Sequence, residues 1–205
     1  MLSLADMSAR ADGFSLVELL VSMAIVAVLY ALALGPGSSM VQSNRKTQCA
    51  QQLARIHQSL ALFAAEHDGA FPAVSGATTS EIPLSLLVPL YTTDTSIFIC
   101  PGSKDADLPG AQPFADRRIS YAYYMGLKNS ASPTAPLASD AQASLDSKRP
   151  GSALFSTSGS PPGDKHRTYG GNILFVDGHV ETLPALAPRE FPIPAGAALL
   201  NPKSR

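Results

Sequence analysis

Charged residues are scarce in this chain. Lys, Arg, Asp and Glu make up 15% of its 205 residues, and the formal net charge is −1. Lys and Arg occur singly or in pairs, with no long basic stripe, so the composition argues against nucleic acid as a main partner. The 15 glycines and 17 prolines are typical of a loop-rich small domain and not of a helical bundle.

Cysteine is also rare, and recognisable catalytic motifs are missing. Cys49 and Cys100 are the only two cysteines, and they form no C-x-x-C pair. Two cysteines are compatible with one disulfide in an exported domain and also with two free thiols. The sequence contains no G-x-S-x-G, H-E-x-x-H or P-loop pattern, and its Ser, His and Asp residues show no recognisable catalytic spacing. We therefore do not expect an enzyme.

A long apolar run stands near the start of the chain. Of the nineteen residues from Leu16 to Leu34, only Glu18 is charged. As a helix the run would reach about 28 Å, close to the thickness of a hydrocarbon core. A secretory signal peptide, with an A-x-A cleavage pattern at residues 31–33, and a plain transmembrane anchor are two interpretations. Neither explains Glu18, because an acid near the bilayer centre costs about 2.5–3.5 kcal/mol.

A partner for Glu18 arises if the chain is cut between Gly13 and Phe14. The cut creates an α-amino group on Phe14, whose ordinary pKa of about 8 leaves it mostly positive at neutral pH. Glu18 lies four residues further on, one helical turn away. The carboxylate can therefore neutralise its own amine or that of a neighbouring copy. Between copies, this pairing would fix the axial register of one helix against the next.

The segment GFSLVELLVSMAIVAVL resembles the N-terminal processing and methylation signal of type IV pilins and type II secretion pseudopilins. The resemblance implies that a prepilin peptidase cuts after Gly13, that Phe14 is then N-methylated, and that Glu18 is the glutamate of the fifth mature position. Residues 1–13 would be the leader peptide, and residues 14–35 the transmembrane and assembly helix. The domain would then lie in the periplasm, anchored by a single pass through the inner membrane.

The leader departs from the family pattern in its charge. Family leaders are usually basic, but residues 1–13 contain Asp6 and Asp12 beside Arg10. A start at Met7 gives the shorter leader MSARADG, which is more typical of the family. We expect Met7 to be the true start.

The rest of the chain predicts an α+β, pilin-like fold. Pro36, between two glycines, should bend or interrupt the first helix, and an amphipathic helix should follow from Ser38 to about His67. Its apolar stripe has spacings of three and four residues, and Asp68-Gly69 supplies a stop. A small antiparallel sheet with long loops should complete a periplasmic domain over residues 36–183. The predicted strands are 96–100, 119–125, 153–157 and 172–176.

The C-terminal part of the chain predicts a β-hairpin followed by a Pro-rich tail. NILFVDGHVETL predicts a hairpin with Asp177-Gly178 in a type I′ turn, which places Val176 beside His179. The Pro-rich tail, residues 184–205, should be extended or disordered. His166, Asp177 and His179 have two interpretations, a metal cluster or structural residues of the turn and strand. We favour the structural interpretation.

The segment HRTYGGNILFVDGHVE resembles the C-terminal signature of a pilin-like subfamily, in which nine residues separate a His from Asp-Gly. Here the residues in question are His166, Asp177, Gly178 and His179, and ten residues lie between His166 and Asp177. The segments that contain Cys49 and Cys100 resemble other parts of the same subfamily. A disulfide between them is expected after export, with two buried free thiols as the alternative.

The resemblance also carries expectations about ligands and partners. Major pseudopilins of type II secretion bind calcium in a C-terminal loop, but the acids of this chain lack the D-x-D-x-D-G spacing of a loop cage. We expect no cofactor, with calcium as the alternative. The expected partners are copies of the chain or other pilin-like subunits, the prepilin peptidase and the inner membrane. The acids considered for calcium are Asp105, Asp107, Asp116, Asp140, Asp164 and Asp177.

Overall fold

The computed structural model describes residues 15–33, 37–103, 105 and 112–203. The chain divides into two compact units, Met1–Met40 and Val41–Arg205. The predicted leader, the cleavage point and the predicted bend at Pro36 lie outside the described residues.

The first unit contains helix α1, Leu16–Ala33, which forms over most of the apolar run. Every side chain from Ser15 to Tyr30 is exposed. The helix therefore presents apolar side chains all round, without a polar face. No helix in the described part of the chain is long and apolar enough to cross a membrane. The predicted inner-membrane span thus stays a prediction.

Helix α2, Gly37–Glu66, is the long amphipathic helix that the sequence predicts. Its apolar stripe is buried, and Leu53, Ile56 and Leu60 have no exposed surface. The helix ends where Asp68 and Gly69 adopt left-handed backbone angles, with φ of 52° and 76°. The amide of Gly69 donates to the carbonyl of Ala64, which satisfies one of the free carbonyls at the helix end.

Helix α2 packs against a five-stranded antiparallel sheet, so the fold is α+β, as the sequence predicts. The spatial order of the strands is β4-β3-β2-β1-β5. Side chains of α2 share one hydrophobic core with residues of β1, β2 and β3. The strands are β1, Tyr121–Met125; β2, Pro136–Asp140; β3, Gly171–Phe175; β4, Val180–Leu183; and β5, Ala198–Leu200.

Strand β3 is buried on both faces. Leu174 contributes to the core under α2, whereas Ile173 and Phe175 belong to a second cluster with Leu154 and Phe191. Because side chains alternate across a strand, a strand between two apolar layers is apolar at successive positions. This explains the continuous apolar run in its sequence. Between α2 and the sheet the chain forms helix α3, Glu81–Leu84, and short 3₁₀ turns.

Two of the predicted strands are wrong. Residues Thr95–Phe98 form a 3₁₀ turn, because the Asp94 side chain caps it and accepts from the Ser96 amide at 3.0 Å. Residues 153–157 form only an isolated bridge between Ala153 and Leu186. In both places local hydrogen bonding or tertiary context outweighs the preference of apolar and aromatic residues for strands.

Two strands occur where the sequence predicts none. β2 lies in a stretch that reads as a loop, and its partners β1 and β3 hold it on both sides. β5 lies in the Pro-rich tail and pairs with β1, Tyr124 standing opposite Leu199. The tail therefore contributes an edge strand to the sheet, which the expectation of an extended or disordered segment did not include.

Candidate functional site

The N-terminal site is described only from Ser15 onward. Glu18 lies in the first turn of α1, and its side chain is exposed. Gly13 and Phe14, the predicted cleavage residues, lie outside the described residues. The exposed apolar side chains that follow Glu18 include Leu19, 55% exposed, and Met23, 66% exposed. Such a helix needs another apolar environment, either lipid or other helices.

A disulfide joins Cys49 of α2 to Cys100, which follows the 3₁₀ turn at Thr95–Phe98. The two Cα atoms are 5.2 Å apart, and both cysteines are at most 1% exposed. The bond ties the N-terminal half of α2 to the segment that leads toward the sheet. Free cysteines are absent, since the chain has only these two.

His166 lies directly against this disulfide. Its Nε2 atom is 3.5 Å from the Cys100 sulfur and 3.4 Å from Oδ2 of Asp140. Asp140 is the last residue of β2, and His166 belongs to the loop that precedes β3. Both side chains are buried, with 1% exposure or less. The cluster is therefore assembled from four separate parts of the chain.

Asn172 of β3 holds the Asp140 carboxylate in place. Its backbone amide donates to Oδ2 at 2.7 Å, and its side-chain Nδ2 donates to the same oxygen at 3.1 Å. The side chain also donates to the carbonyl of Lys46 at 2.9 Å, so one residue links β2 to α2. Burial lowers the pKa of the Lys46 ammonium, and the charge of Asp140 partly opposes this shift.

A buried ion pair joins Asp105 to Lys165, the residue that precedes His166 in the chain. The Lys165 ammonium donates to Oδ2 of Asp105, which also accepts from Ser120 Oγ at 3.0 Å. Burial acts to raise the pKa of Asp105, but Lys165 and the hydroxyls of Ser120 and Ser103 outweigh it, so the pKa lies below its ordinary value. The carboxylate is thus held in its charged form.

A polar pocket of about 400 Å³ opens over this region. Among its lining residues are the cations Arg45, Lys165 and Arg167 and one acid, Asp164. Neither guanidinium has an ion-pair partner among the described residues, whereas Lys165 is paired with Asp105. Arg167 has a left-handed backbone, with φ of 56°. An arrangement of this kind favours an anionic group, since guanidinium matches carboxylate and phosphate oxygens.

Gly102 separates the pocket from the buried cluster. It lines the pocket, and a Cβ atom at this position would lie 2.6 Å from Nδ1 of His166. Any side chain here would therefore displace the imidazole or the loop. The absence of a side chain at Gly102 is what lets the pocket floor approach His166.

The hairpin of β3 and β4 is present, but the predicted register is wrong. Leu174 pairs with Val180, and the amide of Phe175 donates to the carbonyl of His179 at 3.0 Å. In the turn only Gly178 has positive φ, 91°, so the type I′ assignment is also wrong. A three-residue connection with glycine in the left-handed position replaces it, which is a common hairpin geometry.

The hairpin and His166 do not form one metal cluster. On the hairpin, Asp177 Oδ1 accepts from the His179 amide and lies 2.6 Å from His179 Nδ1, with both side chains exposed. The backbone hydrogen bond from His179 is the main cause of a lowered pKa at Asp177. In the described part of the chain, the grouping with metal-ligand spacing is instead Cys49, Cys100, Asp140 and His166.

Sequence reasoning singled out every member of this grouping but not the grouping itself. The sequence presents Asp140 only as a calcium candidate and His166 only together with the hairpin residues, and it gives Asn172 no functional role. A signal for it exists in hindsight, because a polar residue opens the apolar run NILFV of β3. Of the other calcium candidates, Asp107 lies outside the described residues.

Comparison with known families adds a finding about the N-terminus. The family model described as the prokaryotic N-terminal methylation motif matches residues 8–34. Comparisons with curated proteins and with solved structures gave no match. The matched span contains Gly13, Phe14 and Glu18 but none of the C-terminal signature around His166, which stays a prediction. The chain therefore carries the N-terminal signal of a type IV pilin-like or pseudopilin-like precursor.

Proposed function

We propose that the protein is a structural subunit of a pilin-like filament, either a type II secretion pseudopilus or a type IV pilus-like fibre. The methylation motif at residues 8–34 is the observation that carries the proposal. In this role a prepilin peptidase removes residues 1–13 and Phe14 is N-methylated. Before assembly, the subunit stays in the inner membrane with its domain in the periplasm. The subunit has no catalytic task.

The apolar helix α1 and its single acid, Glu18, support this proposal on physical grounds. A helix that is apolar all round loses favourable contacts when it leaves lipid, unless other helices replace them. A filament core of neighbouring α1 helices supplies that second environment. Inside it, the Glu18 carboxylate is tolerable only beside a positive group, and the Phe14 amine of a neighbouring copy provides one. The pair then sets the register between subunits.

The folded domain fits an exported location. Its Cys49–Cys100 disulfide is of the kind that persists in oxidising compartments such as the periplasm. The bond fixes α2 to the loop before the sheet, which gives the filament a rigid outer domain. Its loops and edge strand β5 remain for contacts with partners.

Processing can be tested directly by mass spectrometry of the chain expressed with and without a prepilin peptidase. The expected product begins at Phe14 and carries one added methyl group. A chain that keeps its leader with the active peptidase, or that begins after Ala33, would overturn the proposal.

Assembly is tested with Glu18→Gln, which removes the charge but keeps the shape. We expect normal membrane insertion and cleavage but loss of crosslinked multimers in cells. Glu190→Gln is the matched control, because Glu190 is an exposed acid on the folded domain. Normal multimers in the Glu18 variant would remove the role assigned to this residue.

A second candidate function is a binding module held at the membrane and never polymerised. The pocket with Arg45 and Arg167 favours it, because two guanidinium groups without ion-pair partners among the described residues suit an anionic ligand. Correct cleavage combined with only monomeric crosslinking products would favour this function over the filament.

A further inference from the structure

The grouping of Cys49, Cys100, Asp140 and His166 has the geometry of a metal site. The ligand atoms of all four residues lie within 4.8 Å of one another. Each residue is at most 1% exposed. Thiolate sulfur, imidazole nitrogen and carboxylate oxygen are the three ligand types that zinc takes in proteins.

Two separations within the cluster match edges of a zinc tetrahedron. Zinc bonds of about 2.3 Å to sulfur and about 2.0–2.1 Å to nitrogen and oxygen require a sulfur–nitrogen edge of about 3.5 Å and a nitrogen–oxygen edge of about 3.4 Å. His166 Nε2 lies 3.5 Å from the Cys100 sulfur and 3.4 Å from the Asp140 oxygen. The sulfur–sulfur edge is shorter, because the two sulfurs are covalently bonded, and the other three edges lie within the 4.8 Å that encloses all four ligand atoms.

Two polar atoms of the cluster have no hydrogen-bond partner in the described part of the chain. They are Nδ1 of His166 and Oδ1 of Asp140, and both are buried. A metal ion would bind the other two atoms, Nε2 of His166 and Oδ2 of Asp140, which lie 3.4 Å apart. The two hydrogen bonds from Asn172 would orient that carboxylate, as outer residues do at zinc sites.

We propose that, once the disulfide is reduced, these four side chains bind one zinc ion. The inference does not depend on the filament function. Reduction by a phosphine breaks the sulfur–sulfur bond: phosphorus is oxidised to the phosphine oxide with oxygen from water, and two thiols form. Zinc then displaces both thiol protons to solvent. The two thiolates, the carboxylate and a neutral imidazole complete a four-coordinate site.

The surroundings provide both charge balance and access. Three anionic ligands around a divalent ion leave one excess negative charge, and Lys46 interacts electrostatically with Asp140. The pocket floor at Gly102 lies next to His166, so the path from solvent to the cluster is short. The ion would link α2 to the segment around Cys100, as the disulfide does.

Metal titration of the purified chain tests the proposal. The protein is reduced with a phosphine, which is preferred to a dithiol because dithiols chelate zinc, and is then titrated with Co²⁺ and Zn²⁺ under anaerobic conditions. We expect one ion per chain, the absorption bands of a tetrahedral cobalt–thiolate centre, displacement of cobalt by zinc, and no binding by the oxidised protein. Equal binding by the oxidised protein, or none by the reduced protein, would overturn the proposal.

Variants distinguish the four-ligand site from two bare thiols. His166→Ala and Asp140→Asn should each weaken zinc binding by more than about tenfold, while His179→Ala, at the exposed hairpin, should not. Retained affinity in both cluster variants would contradict the assignment. If these variants fail to fold, the wild-type protein provides the test. Zinc should raise the melting temperature of the reduced protein and should slow the alkylation of Cys49 and Cys100. If zinc does not have both effects, the proposed site is refuted.

Discussion

Cys49 of α2 and Cys100 are joined by a disulfide across 51 residues of sequence. A crosslink of this span restricts the unfolded chain, which corresponds to about 4 kcal/mol in the chain-entropy model. We predict that the double variant Cys49→Ala, Cys100→Ala loses roughly 2–5 kcal/mol of unfolding free energy. Urea unfolding monitored by circular dichroism measures the loss.

Wild-type protein reduced in the presence of a metal chelator is the matched comparison. It should unfold at a similar urea concentration, because it lacks both the disulfide and any bound ion. A double variant as stable as the oxidised wild type would show that the bond contributes nothing to the fold.

The ion pair of Asp105 and Lys165 predicts a dependence of stability on pH. The pKa of Asp105 lies below its ordinary value in the folded state, so the pair stabilises the fold above pH of about 4 and the contribution is lost as pH falls through the folded pKa. Asp105→Asn should therefore cost about 3 kcal/mol at pH 7, since it leaves Lys165 buried without its counter-ion.

Urea unfolding of both proteins at pH 7 and at pH 3 tests this. The difference between them should be largest at pH 7 and should shrink at pH 3. Asp116→Asn, at an exposed acid, is the control and should show neither effect. A constant difference at both pH values would exclude the ion pair as its source.

Three buried tyrosines of β1 should lose their phenolic protons only at high pH. Burial raises the pKa values of Tyr121 and Tyr123 well above the ordinary range, and it raises that of Tyr124 to about 12, against the opposing hydrogen bond from Gln142. The folded state therefore favours the neutral phenol, and stability should fall as pH rises above about 10. Tyrosinate absorbance measured against pH should show Tyr121 and Tyr123 ionising only with unfolding, and Tyr124 ionising late, near pH 12.

Local patterns in the sequence were enough to predict α2 and one hairpin. The apolar spacing at Leu53, Ile56 and Leu60 places a buried stripe on a helix, and Asp68-Gly69 marks its end. The Asp-Gly pair between apolar runs indicates the β3–β4 turn. In each case neighbours within a few residues carry the information, so no tertiary contact has to be known.

Strand β1 lies within the predicted segment 119–125, whereas β2 and β5 depend on contacts between distant segments. β2 contains Pro136, Ser139 and Asp140, which rarely favour strands, yet its burial between β1 and β3 overrides that preference. The hairpin register was wrong for a similar reason. Val176 belongs to the core under α2, and that packing decides which residues form the turn.

The buried cluster could not be predicted from spacing. Its four ligand residues come from α2, the segment after a 3₁₀ turn, the end of β2 and the loop before β3. No local motif links Cys49 to Asp140 or His166. The N-terminal signal, by contrast, is a continuous motif around Glu18, so the sequence alone is sufficient to find it.

A side chain at Gly178 of the hairpin should destabilise the fold by a steric clash. Its backbone is left-handed, with φ of 91°, and a Cβ atom there would lie 2.7 Å from Cε1 of His57 on α2. Gly178→Ala therefore adds both backbone strain and a clash, and we expect a loss of about 2–4 kcal/mol. Gly76→Ala is the matched control, because Gly76 has φ of 76° but nothing within 4 Å of the added atom.

A double-mutant cycle separates the two causes in Gly178→Ala. Replacing His57 by Ala removes the clashing ring together with its contact to the Val176 carbonyl at 3.1 Å. In the His57→Ala background, Gly178→Ala should cost no more than Gly76→Ala does in the wild type, about 1–2 kcal/mol, since only backbone strain remains. Unfolding free energies from urea titration of the five proteins give the coupling. If the cost of Gly178→Ala is the same with and without the His57 ring, the hairpin does not rest against α2 at this point.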